Sequence, residues 1–234
     1  MALPKLEVKT YNLTLPSTGE EIKYRPFLVK EQKTLLMAQE SKKDDEIVDA
    51  MSQLINDCTF GKVDPKKCPM FDAEYIFLKL RAKSIGEKAD IQVTCPDDNE
   101  TKVNVSVNID EVECNMTEDH SNIVEITDTV KMIFNYPLLN SFKNIKVDNR
   151  TESLFNMINQ CIKEIHYGEN IYHKIDVSDD DLTEFVESLS SEQFKKVSDF
   201  FETMPRLRHP IEVTNPQTKV KSEIVLEGLQ TFLV

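Results

Sequence analysis

The chain has no tryptophan, only five glycines among 234 residues, and only four histidines. So few glycines leave little material for the loops that cradle phosphates, where backbone amides must approach the ligand closely. Basic residues are also short, 28 against 41 acidic, for a net charge of −13. That deficit argues against nucleic-acid binding through a basic face. No apolar run approaches the ~20 residues of a membrane span. The first residues, Met1 to Glu7, lack the apolar centre of a signal peptide. What is present is 40% hydrophobic and 29% charged residues, the balance of a folded globular chain. At this length a core can form without disulfide or metal staples.

The five cysteines, Cys58, Cys68, Cys95, Cys114 and Cys161, are odd in number and widely spaced, which reads as reduced thiols in a cytoplasm. Five Asn-x-Ser/Thr triplets begin at Asn12, Asn99, Asn104, Asn115 and Asn149. They matter only in a secretory compartment and are read as chance in an Asn-rich chain.

Charge is uneven along the chain. Residues 1–84 carry a net +1, residues 85–127 a net −9 and residues 128–234 a net −5. Periodicity follows a similar division. Leu6 to Thr14 and Glu21 to Arg25 alternate about the turn Pro16-Ser17-Thr18-Gly19, giving an N-terminal hairpin. Helices are expected at about 29–41, along a stripe of Ile47, Met51, Leu54, Ile55 and Cys58, and from Phe71 to Lys83. The last is apolar nearly all round, as a central core helix is. After Gly86 the period drops to two, and Ala89 to Val93 and Val103 to Ile109 form a hairpin about Cys95 to Glu100. Ile123 to Ile126 and Val130 to Phe134 read as strands. A stripe of Leu154, Met157, Ile158, Cys161, Ile162 and Ile165 predicts a helix running to Tyr167-Gly168, with His166 at its C-terminus. Ser178 and Ser191 begin two more helices, Pro205 ends the second, and a hairpin about Asn215-Pro216-Gln217 closes the chain. No internal repeat is visible.

These patterns predict an α+β fold: a helical core, N- and C-terminal β-hairpins, and an inserted acidic β module resembling a degenerate ribbon. The expected segments are 1–84, 85–136 and 137–234, the last with its hairpin packing back on the N-terminal part.

The sharpest chemical candidate is zinc. Cys95, followed by proline at a hairpin tip, matches half of a zinc ribbon, but Asp98 stands where the second cysteine of a C-x₂-C pair belongs. Cys114 lies 19 residues on without a close partner, and His120 and Asp98 would have to complete the four ligands. The plainer reading makes Cys95 a turn residue and Cys114 a strand residue, with no metal and no cofactor. Cys58 and Cys161 lie in apolar helical stripes, where cysteine acts as a small hydrophobe. The histidines fall in no catalytic motif, so no enzyme is expected. Asp176 and Asp179 to Asp181 lack the alternation, glycine and closing glutamate of a calcium loop, and read as a helix start after Ser178. Two basic corners, Tyr24-Arg25-Pro26-Phe27-Leu28 and Pro205-Arg206-Leu207-Arg208-His209-Pro210, are candidate partner contacts through Arg25, Phe27, Arg206 and Arg208. Internal packing and ion pairing are the alternative for each. Arg206 and Arg208 are expected in a short rigid loop.

The run from Leu15 to Glu31, LPSTGEEIKYRPFLVKE, resembles the opening of the T4-like bacteriophage baseplate hub assembly protein family. Ile76 to Glu87, IFLKLRAKSIGE, is similar to the same family, as are Pro205 to His209, Thr214-Asn215-Pro216 and Leu226 to Gln230. The resemblance spans nearly the whole chain in order, strongest at both ends and weakest over 115–150. It implies a non-enzymatic tail-morphogenesis protein whose partners are other baseplate hub and tail proteins, with no nucleic acid, membrane or small-molecule substrate. It places the chain in the host bacterial cytoplasm during assembly or in the virion baseplate. A metal-binding or hydrolytic hub component using Cys95 and Cys114, and a transient chaperone absent from the virion, are the rival implications.

Overall fold

A computed structural model describes residues 6–115, 117, 119–142 and 150–232. Residues 1–5 of the N-terminal reading, and parts of the Asn115 and Asn149 triplets, lie outside the described residues. The fold is α+β. In chain order the elements are β1 (Tyr11–Thr14), β2 (Glu21–Tyr24), α1 (Val29–Ser41), α2 (Asp44–Cys58), α3 (Met70–Ser84), β3 (Lys88–Thr94), β4 (Lys102–Asn108) and β5 (Glu113–Asn115). Then follow β6 (Ile123–Glu125), β7 (Val130–Phe134), α4 (Arg150–Cys161), β8 (Ile162–Tyr167) and β9 (Asn170–His173). The chain ends with α5 (Asp179–Glu187), α6 (Ser191–Thr203), β10 (Arg206–Thr214) and β11 (Lys221–Glu227). Among the described residues no helix is long and apolar enough to cross a membrane.

Two compact units result, Met1–Asn115 with Arg206–Val234, and Met116–Pro205. The chain leaves the first at β5 and returns at β10, and these strands pair, with Arg206 opposite Asn115. The second unit is therefore an insertion whose two ends sit on neighbouring strands, the arrangement that lets a host fold accept a guest. This differs from the expected boundaries at residues 84 and 136. The acidic stretch is not one module: β3, β4 and β5 belong to the first unit, while β6 and β7 belong to the second. Charge runs report solvated surface, whereas strand pairing decides which residues move together.

The first unit is centred on α3, which buries Phe71, Ala73, Ile76, Phe77, Leu78, Leu80 and Ala82. It touches α2, β5, β10 and the C-terminal turn Leu229–Phe232. From α2 come Met51, Leu54, Ile55 and Cys58, all buried, as the stripe predicts. In contrast, α1 buries only Glu31 and Ala38, and leaves Val29, Leu36 and Met37 exposed.

The N-terminal hairpin is shorter than expected. Leu6 is 88% exposed, and pairing begins only at Tyr11, opposite Tyr24. Three hairpins turn alike. Leu15-Pro16, Cys95-Pro96 and Asn215-Pro216 each open a turn whose first carbonyl accepts the amide four residues on, from Gly19, Asn99 and Lys219 at 2.8, 2.9 and 2.9 Å. Those three residues have φ of 70°, 56° and 66°. Proline suits the second position because it supplies a fixed φ and needs no donor. The recurrence is invisible as a sequence repeat because three different residue types, Gly, Asn and Lys, fill the left-handed position.

The second unit packs α4, α5 and α6 against the antiparallel sheet β6-β7-β8-β9. Its core holds Met132, Phe134, Ile158, Ile162, Leu182, Val186, Val197 and Phe200. Here the helix expected to reach Gly168 is corrected. It ends at Cys161, and Ile162–Tyr167 is a strand between β7 and β9. Ile162 and Ile165 fit a helical stripe. They share the buried strand face only because the register with β7 slips between them, Glu164 facing Ile133 and Ile162 facing Phe134. β-branched residues next to a Gly168 turn (φ 59°) favour the strand. His166 therefore sits in mid-strand, with Nε2 3.0 Å from Glu164 Oε2, instead of at a helix end. The strand β9, read as nothing in the sequence, completes the sheet.

Candidate functional site

Ser17, at the tip of the β1–β2 turn, donates its amide to Asp72 Oδ1 at 3.0 Å and its hydroxyl to Oδ2. Asp72 lies buried in the first turn of α3, where burial outweighs these bonds and raises its carboxyl above the ordinary range.

The other two tips lock together in the same unit. Asn215 is 1% exposed. Its Nδ2 donates to Asp97 Oδ1 and Oδ2 at 3.0 and 3.1 Å and to Asp98 Oδ2 at 2.8 Å. Its Oδ1 accepts the Gln217 amide at 2.8 Å. Thr218 donates its hydroxyl to Asp97 as well. Asp98 also takes the Thr101 hydroxyl and the amides of Glu100 and Thr101, which hold its carboxyl below the usual carboxylate range. Two hairpin tips meet here through an amide and two carboxylates, where a zinc ribbon would use metal and thiolates. Asn215→Ala is expected to cost about 2 kcal/mol, because it strips donors from ionised acceptors. Asn215→Asp should cost more, by crowding three carboxylates. Urea denaturation checks both, and Cys95→Ser measured alongside should lose less than Asn215→Asp.

Cys95 is buried, and its amide is held by the Thr101 carbonyl at 2.8 Å. Cys114 is a β5 residue opposite Leu207, its thiol pushed up to about 12 by burial. His120 belongs to the second unit, with Nδ1 2.9 Å from Thr203 Oγ1 and its ring stacked on Tyr136. Among the described residues no three His, Cys, Asp or Glu side chains gather in a way that could hold a metal ion. At the start of α5, the Ser178 hydroxyl oxygen accepts the Asp181 amide at 3.1 Å, a helix cap.

The two basic corners are both engaged within the chain. Arg25 donates to Glu31 Oε1 and to the Pro26 carbonyl, each at 3.0 Å, and its amide donates to the Cys58 carbonyl at 3.0 Å. Glu31 also accepts the Leu28 amide at 2.6 Å, which ties β2 to the first turn of α1. Phe27 is 7% exposed, and its amide donates to Ser84 Oγ at 2.9 Å. Arg206 and Arg208 do not lie in a loop. They open β10, the central strand of β11-β10-β5, where Arg206 lies opposite Asn115 of β5 and Arg208 lies between Glu113 of β5 and Glu227 of β11. Their guanidinium groups converge on Glu227 of β11, at 2.9 Å from Arg208 Nε and 3.9 Å from Arg206 Nη1.

A feature of the second unit escaped the sequence reading. Between β8–β9 and α5 runs a groove of about 550 Å³, lined by apolar Ile165, Tyr167, Tyr172, Val177, Leu182 and Phe185 together with Asp176 and Asp181. Of these Tyr167 and Tyr172 are about half exposed, as is Ile171 on β9 outside the lining. The available signal was the alternation Asn170-Ile171-Tyr172-His173 just after Gly168, which the helical reading of the preceding stripe absorbed.

The groove leaves apolar surface of the second unit open, the kind of surface on which other molecules dock. The family described as T4 bacteriophage base plate protein matches residues 8–234, and the chain belongs to that family. No curated protein and no solved structure is similar enough to the chain to match it.

Proposed function

We propose that the chain is a non-enzymatic protein of the baseplate hub of a contractile-tailed phage, acting in hub assembly in the host bacterial cytoplasm or as a hub subunit of the virion. The observation that carries this is the family match over nearly the whole chain, joined to the hub-like segments at both ends. The thiols support a non-catalytic reading. Burial pushes Cys58 up to about 11 and Cys68 and Cys161 up to about 12, whereas a nucleophilic cysteine needs a lowered value.

Co-expression with the other hub proteins, followed by mass measurement of the assemblies, tests the proposal. Failure to join any baseplate intermediate ends it. The chain's presence in purified virions separates a resident subunit from a chaperone that leaves. Within this reading Arg206 and Arg208 contribute to partner contact, since their side chains keep 35% and 33% of their surface exposed and a partner carboxylate can compete for them. Arg25 and Phe27 contribute by fixing the exposed Leu28 and Val29 beside them. The double change Arg206→Ala, Arg208→Ala should weaken hub assembly about tenfold while shifting the melting point little. A destabilised protein that still assembles normally would remove the arginine pair from the interface.

A further inference from the structure

The sheet of the second unit ends on β9, which among the described residues pairs with β8 alone. All four of its residues are exposed. The two-residue turn between Tyr167 and Asn170 fixes the phase of pairing, with Tyr167 opposite Asn170, His166 opposite Ile171 and Ile165 opposite Tyr172. In a tight hairpin the flanking pair exchanges both hydrogen bonds, and the alternate pairs turn their backbone groups outward. Ile171 therefore aims its N–H and C=O away from the sheet, and His173 its N–H, while the His173 carbonyl begins the helical turn Lys174–Asp176. Natural edges are usually blunted by lysine, proline or a bulge. The sequence Asn170-Ile171-Tyr172-His173 has neither residue and no bulge. The next residue, Lys174, is turned inward, with Nζ 2.5 Å from the Asn159 carbonyl oxygen.

The groove adjoins this edge, because Tyr172 of β9 and Ile165 and Tyr167 of β8 form its sheet wall. Its charge has one sign. Asp176 and Asp181 line it, Asp179 and Asp180 lie exposed at the start of α5, and Glu169 lies exposed in the turn. Residues 116–205 as a whole carry 8 basic and 17 acidic groups, for a net of −9. A second copy of the chain would bring like charge to like at this edge. A cationic segment would meet complementary charge.

We propose that β9 and the adjoining groove take up an extended segment of another protein, one in which apolar residues alternate with lysine or arginine, as an added strand. The backbone of the segment pairs with Ile171 and with the His173 amide, its apolar side chains enter the groove, and its cations, which alternate onto the other face beside Ile171, lie in the field of a unit with a net charge of −9. Such strand addition draws affinity from main-chain hydrogen bonds and selectivity from alternate side chains. The proposal rests on the assembly reading, for which it supplies a partner chemistry.

The full-length protein is titrated into a labelled heptapeptide of alternating valine and lysine, with the valine–glutamate counterpart and a helical leucine–lysine peptide as comparisons. The valine–lysine peptide should bind at least about tenfold more tightly than its glutamate counterpart, with affinity falling as salt rises. Amide exchange at Ile171 and His173 should slow on binding. Ile171→Pro removes an outward amide, and Ile171→Lys keeps the backbone but adds a repelling charge. Each should weaken binding at least about tenfold with the circular dichroism unchanged. Binding indifferent to both variants, equal affinity for the glutamate or helical peptide, or a self-dimer through β9 that the peptide cannot displace overturns the proposal. The same variants in the co-expression assay keep the two readings apart. Normal hub assembly by Ile171→Lys rejects this surface alone, whereas a wild-type chain that joins no baseplate intermediate rejects the assembly reading and this surface with it.

Discussion

Phe134→Ala will destabilise the protein by about 3–5 kcal/mol, the range for losing a fully buried aromatic side chain. Phe134 is 1% exposed and closes β7. Its ring stacks on Phe200 with centroids 4.9 Å apart and meets Phe201 edge-on at 5.8 Å. Phe200 and Phe201 meet edge-on at 4.9 Å, so the three rings form one mutually supporting cluster between the sheet and α6. Relief by collapse is hindered from two sides. The register slips between Ile133 and Phe134, and the backbone there is pinned by the Phe134 amide on Asn122 and the Asn135 amide on Cys161, at 2.9 and 2.7 Å. A pinned strand cannot sink into the space the ring leaves. Phe155, only partly buried and stacked on Phe194 at 5.5 Å, is the comparison. Phe155→Ala should cost about half as much, because a cavity open to solvent leaves fewer lost contacts. Equilibrium denaturation of both variants checks the ranking, and a larger loss at Phe155 would move the centre of the core to α4 and α6.

How far these features could be read in the sequence depends on what decided them. The α2 stripe and the all-round apolar α3 were legible because burial alone sets those patterns, and Ile55 and Leu78 are both 0% exposed. Ser178 and Pro205 marked helix ends through local backbone chemistry. The 150–173 region was not legible in the same way. Ile158, Ile162 and Ile165 are spaced to fit a helix, and only pairing with Met132 and Tyr172 makes Ile165 a strand residue. That partner choice is nonlocal and leaves no trace in a short window. The domain division was hidden for a related reason, since it turns on β5 finding β10 across ninety residues of inserted chain. The basic corner at Arg206 looked like a loop because Pro205 and Pro210 bracket it. Pro210 is instead accommodated within β10 opposite Val225. Its arginines could be named from sequence, but their convergence on Glu227 required the strand register.

Glu74→Gln will stabilise the protein at pH 8 by about 3 kcal/mol and remove a pH dependence that the wild type shows between about pH 4.5 and 7. Glu74 lies in α3, largely enclosed, with the Leu229 amide donating to its carboxyl and Arg206 nearby. Both neighbours favour the ionised form. Desolvation outweighs them and raises the carboxyl from 4.5 to about 7. In that window the native state holds a proton that the unfolded chain has already released, so stability falls as the pH climbs. At about 1.4 kcal/mol per pH unit, the shift amounts to roughly 3 kcal/mol once the pH passes the folded value. Glutamine keeps an acceptor for Leu229 and has no charge to desolvate, while Arg206 retains Glu227. Below pH 4.5 the two proteins should be equally stable, because both carry a neutral side chain at this position. Urea denaturation of wild type and variant from pH 4 to 8.5 reads the difference directly, and other titrating groups cancel in it. A wild type that gains on the variant as pH rises would mean that Arg206 holds Glu74 as a carboxylate and that the ion pair, not desolvation, governs this face of α3.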